Sequence, residues 1–397
     1  MNESFPLSGI KVLDFSRVVA GPFSTRMLAD LGADVIKVEP PEGDMSRVLG
    51  RKINGLSGMF TQHNVGKRSV CVDLTQDGAA ELLLSMAAEA DMVVENFRPG
   101  IMASMGLGWD ELSAANPKLI MLSISGFGQE GPERDRAAYA PIVHAETGML
   151  ERQQYTDKTE RPTGIALSIA DTVTGLHGTV ALLAALAHAQ RTGAGQHIDM
   201  AMINAMFFTD DYASTAIDGV EPFDGAGLVL DATGGPVMLA GDEKWLWRVL
   251  NTKGGVDDPT PPDADLETKI RLRREAIETW LLAFPDRPTL ISRLDELNLA
   301  WGEVLNHREV FERQGSVEAR SVLTTVDDRG GGQRQVTNTP YRFSNADAAV
   351  AGPAAHRGEH NYDAISDWLG DNAPDLETLH ENGVLLQDDT ARGLTDQ

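Results

Sequence analysis

The spacing of apolar and polar positions alternates between two periods along the first third of the chain. Lys11 to Phe15 is a short apolar run that predicts a strand, Gly21-Pro22 breaks it, Phe23 to Leu31 carries helical spacing, and Gly32 ends that helix. Val35 to Val38 predicts the next strand, and SVCVDL at 69 to 74 another. A helix from Asp77 to Glu89, a strand from Asp91 to Glu95, a helix near Ala103 and a strand from Leu119 to Ile124 follow. Strands alternating with helices imply right-handed crossovers and a parallel sheet covered on both faces. Ligands of such sheets bind outside the carboxyl ends of the strands.

Further on, Ile165, Ala166, Leu167 and Ile169 form a β-prone run, and Thr174 to Ala189 predicts a long helix. Asp171 stands at that junction, where the free amides of a helix N-terminus favour negative charge and keep a carboxylate ionised. Asp171 is therefore a candidate nucleophile, or an ordinary helix N-cap. RTGAGQHIDMAM (191 to 202) predicts a turn into a strand, and Asn204 to Ile217 another helix.

From about Gly225 the pattern changes. A hairpin signal (LVLDATGGPVML), the helices Leu266 to Phe284 and Arg287 to Leu297, and Pro288 in a first turn predict a smaller α+β insert. From Ser321 the chain returns to strand at Val322 to Val326, the turn DDRGGGQR, a strand end at TNTPYRF and an amphipathic helix from Tyr362 to Leu369. The tail from Asp371 is polar and acidic. The expected divisions are 1–215, 225–315 and 320–397, and beyond the βα alternation there is no internal repeat.

Charge narrows the partners. With 34 Lys+Arg against 59 Asp+Glu, the net charge of -25 opposes binding to nucleic acid or to an anionic membrane. The single cysteine, Cys71, excludes an internal disulfide and fits a reducing cytosol. The N-terminus lacks a signal-peptide pattern, and no run approaches the ~20 apolar residues that span a bilayer.

The carboxyl ends of the expected strands carry RVVAGP (17 to 22), EPPEGD (39 to 44), VDLT (72 to 75), ENFRPG (95 to 100) and SGFG (125 to 128). None is a G-x-G-x-x-G fingerprint or a phosphate loop, so no nicotinamide, flavin or ATP site is expected. The histidines show no metal-ligand spacing, so no metal is expected.

Five segments together carry a resemblance: LSGIKVLDFSRVVAGPFSTRMLADLGADVIKVEPPEGDMSR, NVGKRSVCVDL, VVENFRPG, RTGAGQHIDMAM and TPYRFS with GPAAHRGEH. In this order they resemble the class III CoA-transferases, a family that includes formyl-CoA:oxalate and carnitine CoA-transferases and, as a side branch, α-methylacyl-CoA racemases. The resemblance covers nearly the whole chain and is weakest between Gly225 and Gln314. It implies a Rossmann-like large domain built from both chain ends, a smaller inserted domain, and two subunits interlocked like chain links.

The resemblance also implies roles. ADTVTG matches the segment that carries the nucleophile, which assigns Asp171 to attack on an acyl-CoA thioester and to aspartyl anhydride and aspartyl-CoA intermediates. The CoA site would use Val18, Val19 and Ala20; Pro40 and Pro41; Val72, Asp73, Leu74 and Thr75; Asn96, Phe97 and Arg98; and Tyr139. Basic residues of relatives are replaced here by Pro40, Ser104 and Ala137, so Arg17, Arg47, Arg98, Arg134 or Arg136 would meet the CoA phosphates. The racemases pair their aspartate with a histidine; Tyr139 holds that place here, and His144, with Glu146 beside it, is the nearest substitute. Three readings follow: a CoA-transferase, an acyl-CoA racemase, and a binding protein that has lost turnover. Acid selectivity would come from the loop near Asp224 to Gly227 and from the insert.

Overall fold

In a computed structural model, residues 4–211, 213–220, 227–312 and 315–388 are described. They divide into two compact units, Met1–Ile217 with Arg320–Gln397, and Asp218–Ala319.

The first unit is built on six strands: β1 (Lys11–Asp14), β2 (Asp34–Glu39), β3 (Arg68–Cys71), β4 (Met92–Glu95), β5 (Ile120–Ser125) and β6 (Gln196–Ala201). They lie side by side in the order β3-β2-β1-β4-β5-β6, every pair parallel. Strands of this kind are covered on both faces, which is why their sequences are nearly continuous apolar runs. Val12, Leu13, Ile36, Val93, Val94 and Leu122 are all fully buried. The order reverses between β1 and β4, and a doubly wound sheet opens a ligand crevice at such a switch.

Helix α1 (Ala20–Asp30) connects β1 to β2, and α2 (Ala79–Ala88) connects β3 to β4. After β5 come α3 (Ala140–Glu146) and the long α4 (Ile169–Thr192), followed by β6 and α5 (Met202–Thr209). The expected helix 204–217 is two pieces, the second being Ala213–Ile217.

No strand precedes Asp171. Residues 161–168 have no regular structure, and α4 begins at Ile169 rather than at Thr174. The run is apolar in composition, yet Leu167 is 69% exposed. Strand propensity needs a pleated neighbour to act on, and this run has none among the described residues.

By length and composition α4 could cross a bilayer, against the expectation that no run is apolar enough to do so. In this fold it packs on α1 instead, with Thr174, Gly175, Gly178 and Leu182 buried. A β-carbon at Gly175 would stand 2.7 Å from the Ala20 carbonyl oxygen, so the glycine is what lets the two helices touch. Gly193, left-handed at φ 74, ends α4.

The far edge of β3 is paired by residues distant in sequence. Asp73 donates its N–H to the Val384 carbonyl and Leu386 donates to that of Cys71, while Val72 and Leu385 form an antiparallel bridge. The tail read as polar and acidic thus includes an edge cover, with Val384 and Leu385 buried.

The second unit has a three-stranded antiparallel sheet of Leu228–Leu230, Val237–Leu239 and Trp301–Glu303, with the expected hairpin at its centre. Helices Leu266–Leu282 and Arg287–Glu296 are capped by the Asp265 and Asp286 side chains, and Pro288 lies in the first turn of the latter. Leu239, Leu246, Leu281 and Leu290 form its core. Residues 221–226, most of the loop expected to govern acid selectivity, lie outside the described residues.

Candidate active site

A cleft opens at the β1/β4 switch point. Arg17 and Val18 line it from the loop after β1, Ala20 from the start of α1, Asn96, Phe97 and Arg98 from the loop after β4, and Tyr139 and Asp171 from the side of α3 and α4. Arg134 and Arg136 also border it. Ten of the sequence-predicted positions, counting Arg17, Arg134 and Arg136, therefore share one cavity.

Two side chains hold the β1 loop in place. Asn96 accepts from the Arg17 N–H at 2.8 Å and donates back to the Arg17 carbonyl at 2.9 Å, tying the loops across the switch. Val18 has φ 70, a left-handed conformation that is an outlier for a β-branched residue and costs about 1–3 kcal/mol. Its N–H donates to both carboxylate oxygens of the buried Asp44 at 3.1 and 3.2 Å.

Asp44 is itself fixed by Lys37, at 2.9 Å, and by the Ser46 N–H and hydroxyl, each at 2.8 Å. Burial would raise its pKa, but Lys37 and the Ser46 bonds outweigh that and hold it below the usual carboxylate range. Lys37 also donates to the Ser16 carbonyl at 2.7 Å. Neither residue was singled out by sequence; the only local signal is the Asp-x-Ser spacing of an Asx turn.

The remaining predicted positions lie elsewhere along the carboxyl edge. Val19 and Val72 are buried, Pro40 and Thr75 are exposed, and Pro41, Asp73 and Leu74 are intermediate; none of the seven lines the cleft. Asp73 folds back onto Thr75 and Gln76.

Arg47 is not available to a phosphate. It bonds Glu39 through two nitrogens at 2.7 and 2.6 Å, stacks 3.7 Å over the Phe60 ring, and is buried. Arg136 is paired with Glu133 and Glu146, which accounts for Glu146, and Arg134 approaches Asp135 at 3.4 Å. Arg17 and Arg98 have no carboxylate partner among the described residues, and Arg17 lies over the Phe97 ring.

Asp171 occupies the third position of α4, within its first turn. Among the described residues no protein donor bonds its carboxylate. Burial raises its pKa to about 6, against the lowering expected from the helix N-terminus. Above that pH the group is an anion with free lone pairs facing a cleft bordered by arginines. Such a carboxylate can attack an acyl carbonyl.

His144 is fully buried on α3, and its Nε2 accepts the Ala170 N–H at 3.0 Å. The lone pair that a base would use is taken, and burial lowers its pKa. Among the described residues no group of three metal-ligating side chains occurs.

The sequence profile of CoA-transferase family III matches residues 7–361, which is most of the chain. The chain belongs to CoA-transferase family III. The formyl-CoA:oxalate CoA-transferase of Streptomyces avermitilis is 30% identical over 415 aligned positions, covering 96% of this chain and 99% of that one. The succinate–glutarate CoA-transferase of Agrobacterium fabrum is 32% identical, covering 92% and 96%. Among solved structures, a CAIB/BAIF family protein from Brucella suis superposes with a TM-score of 0.78 at 30% identity, covering 92% of this chain and all of that one. The cleft described above is therefore that of a family III CoA-transferase fold.

Proposed function

We propose that this family III member moves CoA from an acyl-CoA to a free carboxylic acid with Asp171 as covalent nucleophile. The observation that carries the reading is the Asp171 carboxylate, in the first turn of α4, facing the cleft with no protein donor on it among the described residues. Its oxygen attacks the acyl carbonyl; the C–S bond breaks, leaving an aspartyl anhydride and CoA thiolate. The thiolate attacks the aspartyl carbonyl and releases the donor acid as its carboxylate, giving an aspartyl-CoA thioester. The acceptor carboxylate displaces the thiolate to form a second anhydride. Attack of the thiolate on the acceptor's acyl carbon restores Asp171. Covalent capture keeps the thioester's free energy within the site, provided that water is kept out.

The relatives named above act on oxalate, succinate and glutarate. That supports a short dicarboxylate as acceptor, with Arg17 or Arg98 as the cation for the second carboxylate or for CoA phosphate. The other CoA loops, at Pro40-Pro41 and Val72 to Thr75, would carry the adenine end through backbone groups. Two subunits would interlock, a reading supported by the exposed apolar residues Leu176 and Val180 on α4 and Phe207 and Phe208 on α5. The reduced Cys71 is in keeping with work in the cytosol.

The deciding experiment incubates protein and acyl-CoA with hydroxylamine or borohydride and maps the product by mass spectrometry. Modification at Asp171, and its loss in Asp171→Ala together with CoA exchange, are expected. Exchange at full rate in Asp171→Ala overturns the reading. α-Proton exchange into deuterated water with no modification would instead mark a racemase.

A further inference from the structure

The first turn of α4 is capped from outside its own segment. In an ordinary helix the N-cap side chain accepts the N–H of the second or third residue. Here the N-cap is Ser168, whose side chain makes no capping bond, and the second residue is Ala170. The Ala170 N–H goes instead to Nε2 of His144 at 3.0 Å, across 26 positions of sequence. Both residues are fully buried.

Two facts fix the chemistry of that bond. An imidazole nitrogen that accepts is unprotonated, so the proton of the neutral ring sits on Nδ1. Nδ1 is buried and has no partner among the described residues.

The local alternative for the Ala170 amide is the Ser168 hydroxyl, which would leave the first turn held by a mobile side chain of its own segment. With His144 holding that amide from α3, the first turn is fixed to a buried side chain, and the Asp171 carboxylate, which no protein donor meets among the described residues, faces the cleft. A neutral ring does this without placing a cation beside the carboxylate, which lysine or arginine would.

We infer that His144 is a positioning residue: as the Nδ1–H tautomer it caps α4 in place of Ser168 and thereby fixes the first turn from which the Asp171 carboxylate meets the acyl group. The inference rests on Asp171 being the nucleophile.

The test compares His144→Gln with His144→Asn. The glutamine carbonyl reaches the place of Nε2 and the asparagine carbonyl stops near that of Nδ1, so the two amides differ chiefly in reach. Expected is a kcat within about threefold of the parent for glutamine and a fall of roughly ten- to hundredfold for asparagine, the scale of a misplaced reacting group. KM for the acyl-CoA should stay within about twofold in both. Equal kcat in the two variants, high or low, overturns the inference, as does a loss confined to KM. Should the variants not fold, nitrogen NMR of the unmodified protein with labelled histidine decides: an Nδ1-protonated ring supports the cap, and an Nε2-protonated ring overturns it. Asp171→Ala at full activity would sink the nucleophile reading, and the tautomer would still report on the cap. Loss in Asp171→Ala with unaffected His144→Asn would sink the cap alone.

Discussion

The N–H of Val18 donates to both carboxylate oxygens of Asp44, at 3.1 and 3.2 Å, and this holds a β-branched residue at φ 70 in the wall of the cleft. The residue in the strained conformation touches the site; the residue that maintains it does not. Asp44→Asn removes the charge that Lys37 faces and replaces one acceptor with a donor. Breaking one partner of a buried pair costs about 3–5 kcal/mol. The expected outcome is a lower unfolding midpoint in urea together with a raised KM for acyl-CoA. An unchanged KM in the folded variant would show that the Val18 turn needs no anchor.

Asp171 must be ionised to attack, and burial lifts its pKa to about 6. The rate of the half-reaction should therefore climb with pH through about 6 and level off above it, because only the anion reacts. Single-turnover rates between pH 5 and 8 check this. A limb near the ordinary carboxylate value would mean that the group is better solvated than its surroundings imply.

Glu95 closes the floor of the same loop, accepting the Phe97 N–H at 2.7 Å, and burial raises its pKa to about 7. Its folded pKa exceeds its unfolded value of 4.5, so the ionised form is penalised by folding. The resulting stability is complete below pH 4.5 and is lost as pH rises to about 7. Glu95→Gln should be more stable than the parent at pH 8 by an amount on the order of 2–3 kcal/mol, and equal to it at pH 4.5. Urea melts at the two pH values measure the difference.

Gly175→Ala tests the contact between α1 and α4. Alanine is the better helix former by about 1 kcal/mol, but its methyl would meet the Ala20 carbonyl at 2.7 Å and the Phe23 ring at 3.1 Å. Overpacking against backbone costs about 1–3 kcal/mol and shifts Ala20, which lines the cleft. A reduced Tm with reduced kcat/KM is expected; a raised Tm would mean that the helices part without cost.

The parallel sheet was legible because its central strands are buried on both faces, so Val12-Leu13, Val35-Ile36 and Val93-Val94 form apolar runs. The same rule failed at Ile165 to Ile169, where the apolar residues have no sheet to join. Asp171 was legible through its neighbours in ADTVTG, whereas its environment was not. Its pKa depends on burial, and the turn that carries it is met by His144, 26 positions earlier at the Ala170 amide. Arg47 was misread because Glu39, eight positions back, decides what it does. Asp44 was invisible for the same reason, as its partner amide lies 26 positions earlier. Local pattern shows elements and motifs; it does not show which distant side chain saturates them.

The pairing of Val72 with Leu385 places one border of the central sheet in the hands of residues that follow far later in the chain. A nascent chain that has already formed β1 to β6 still presents one raw strand edge to its surroundings. His360 and Asn361 meet that edge first, at Ser69 and Cys71, and until residues 384–386 follow, the Cys71 carbonyl and the Asp73 amide stay open to another extended peptide. Truncation before Val384 should thus yield a protein prone to associate at Cys71 to Asp73, the end of β3 that residues 384–386 cover.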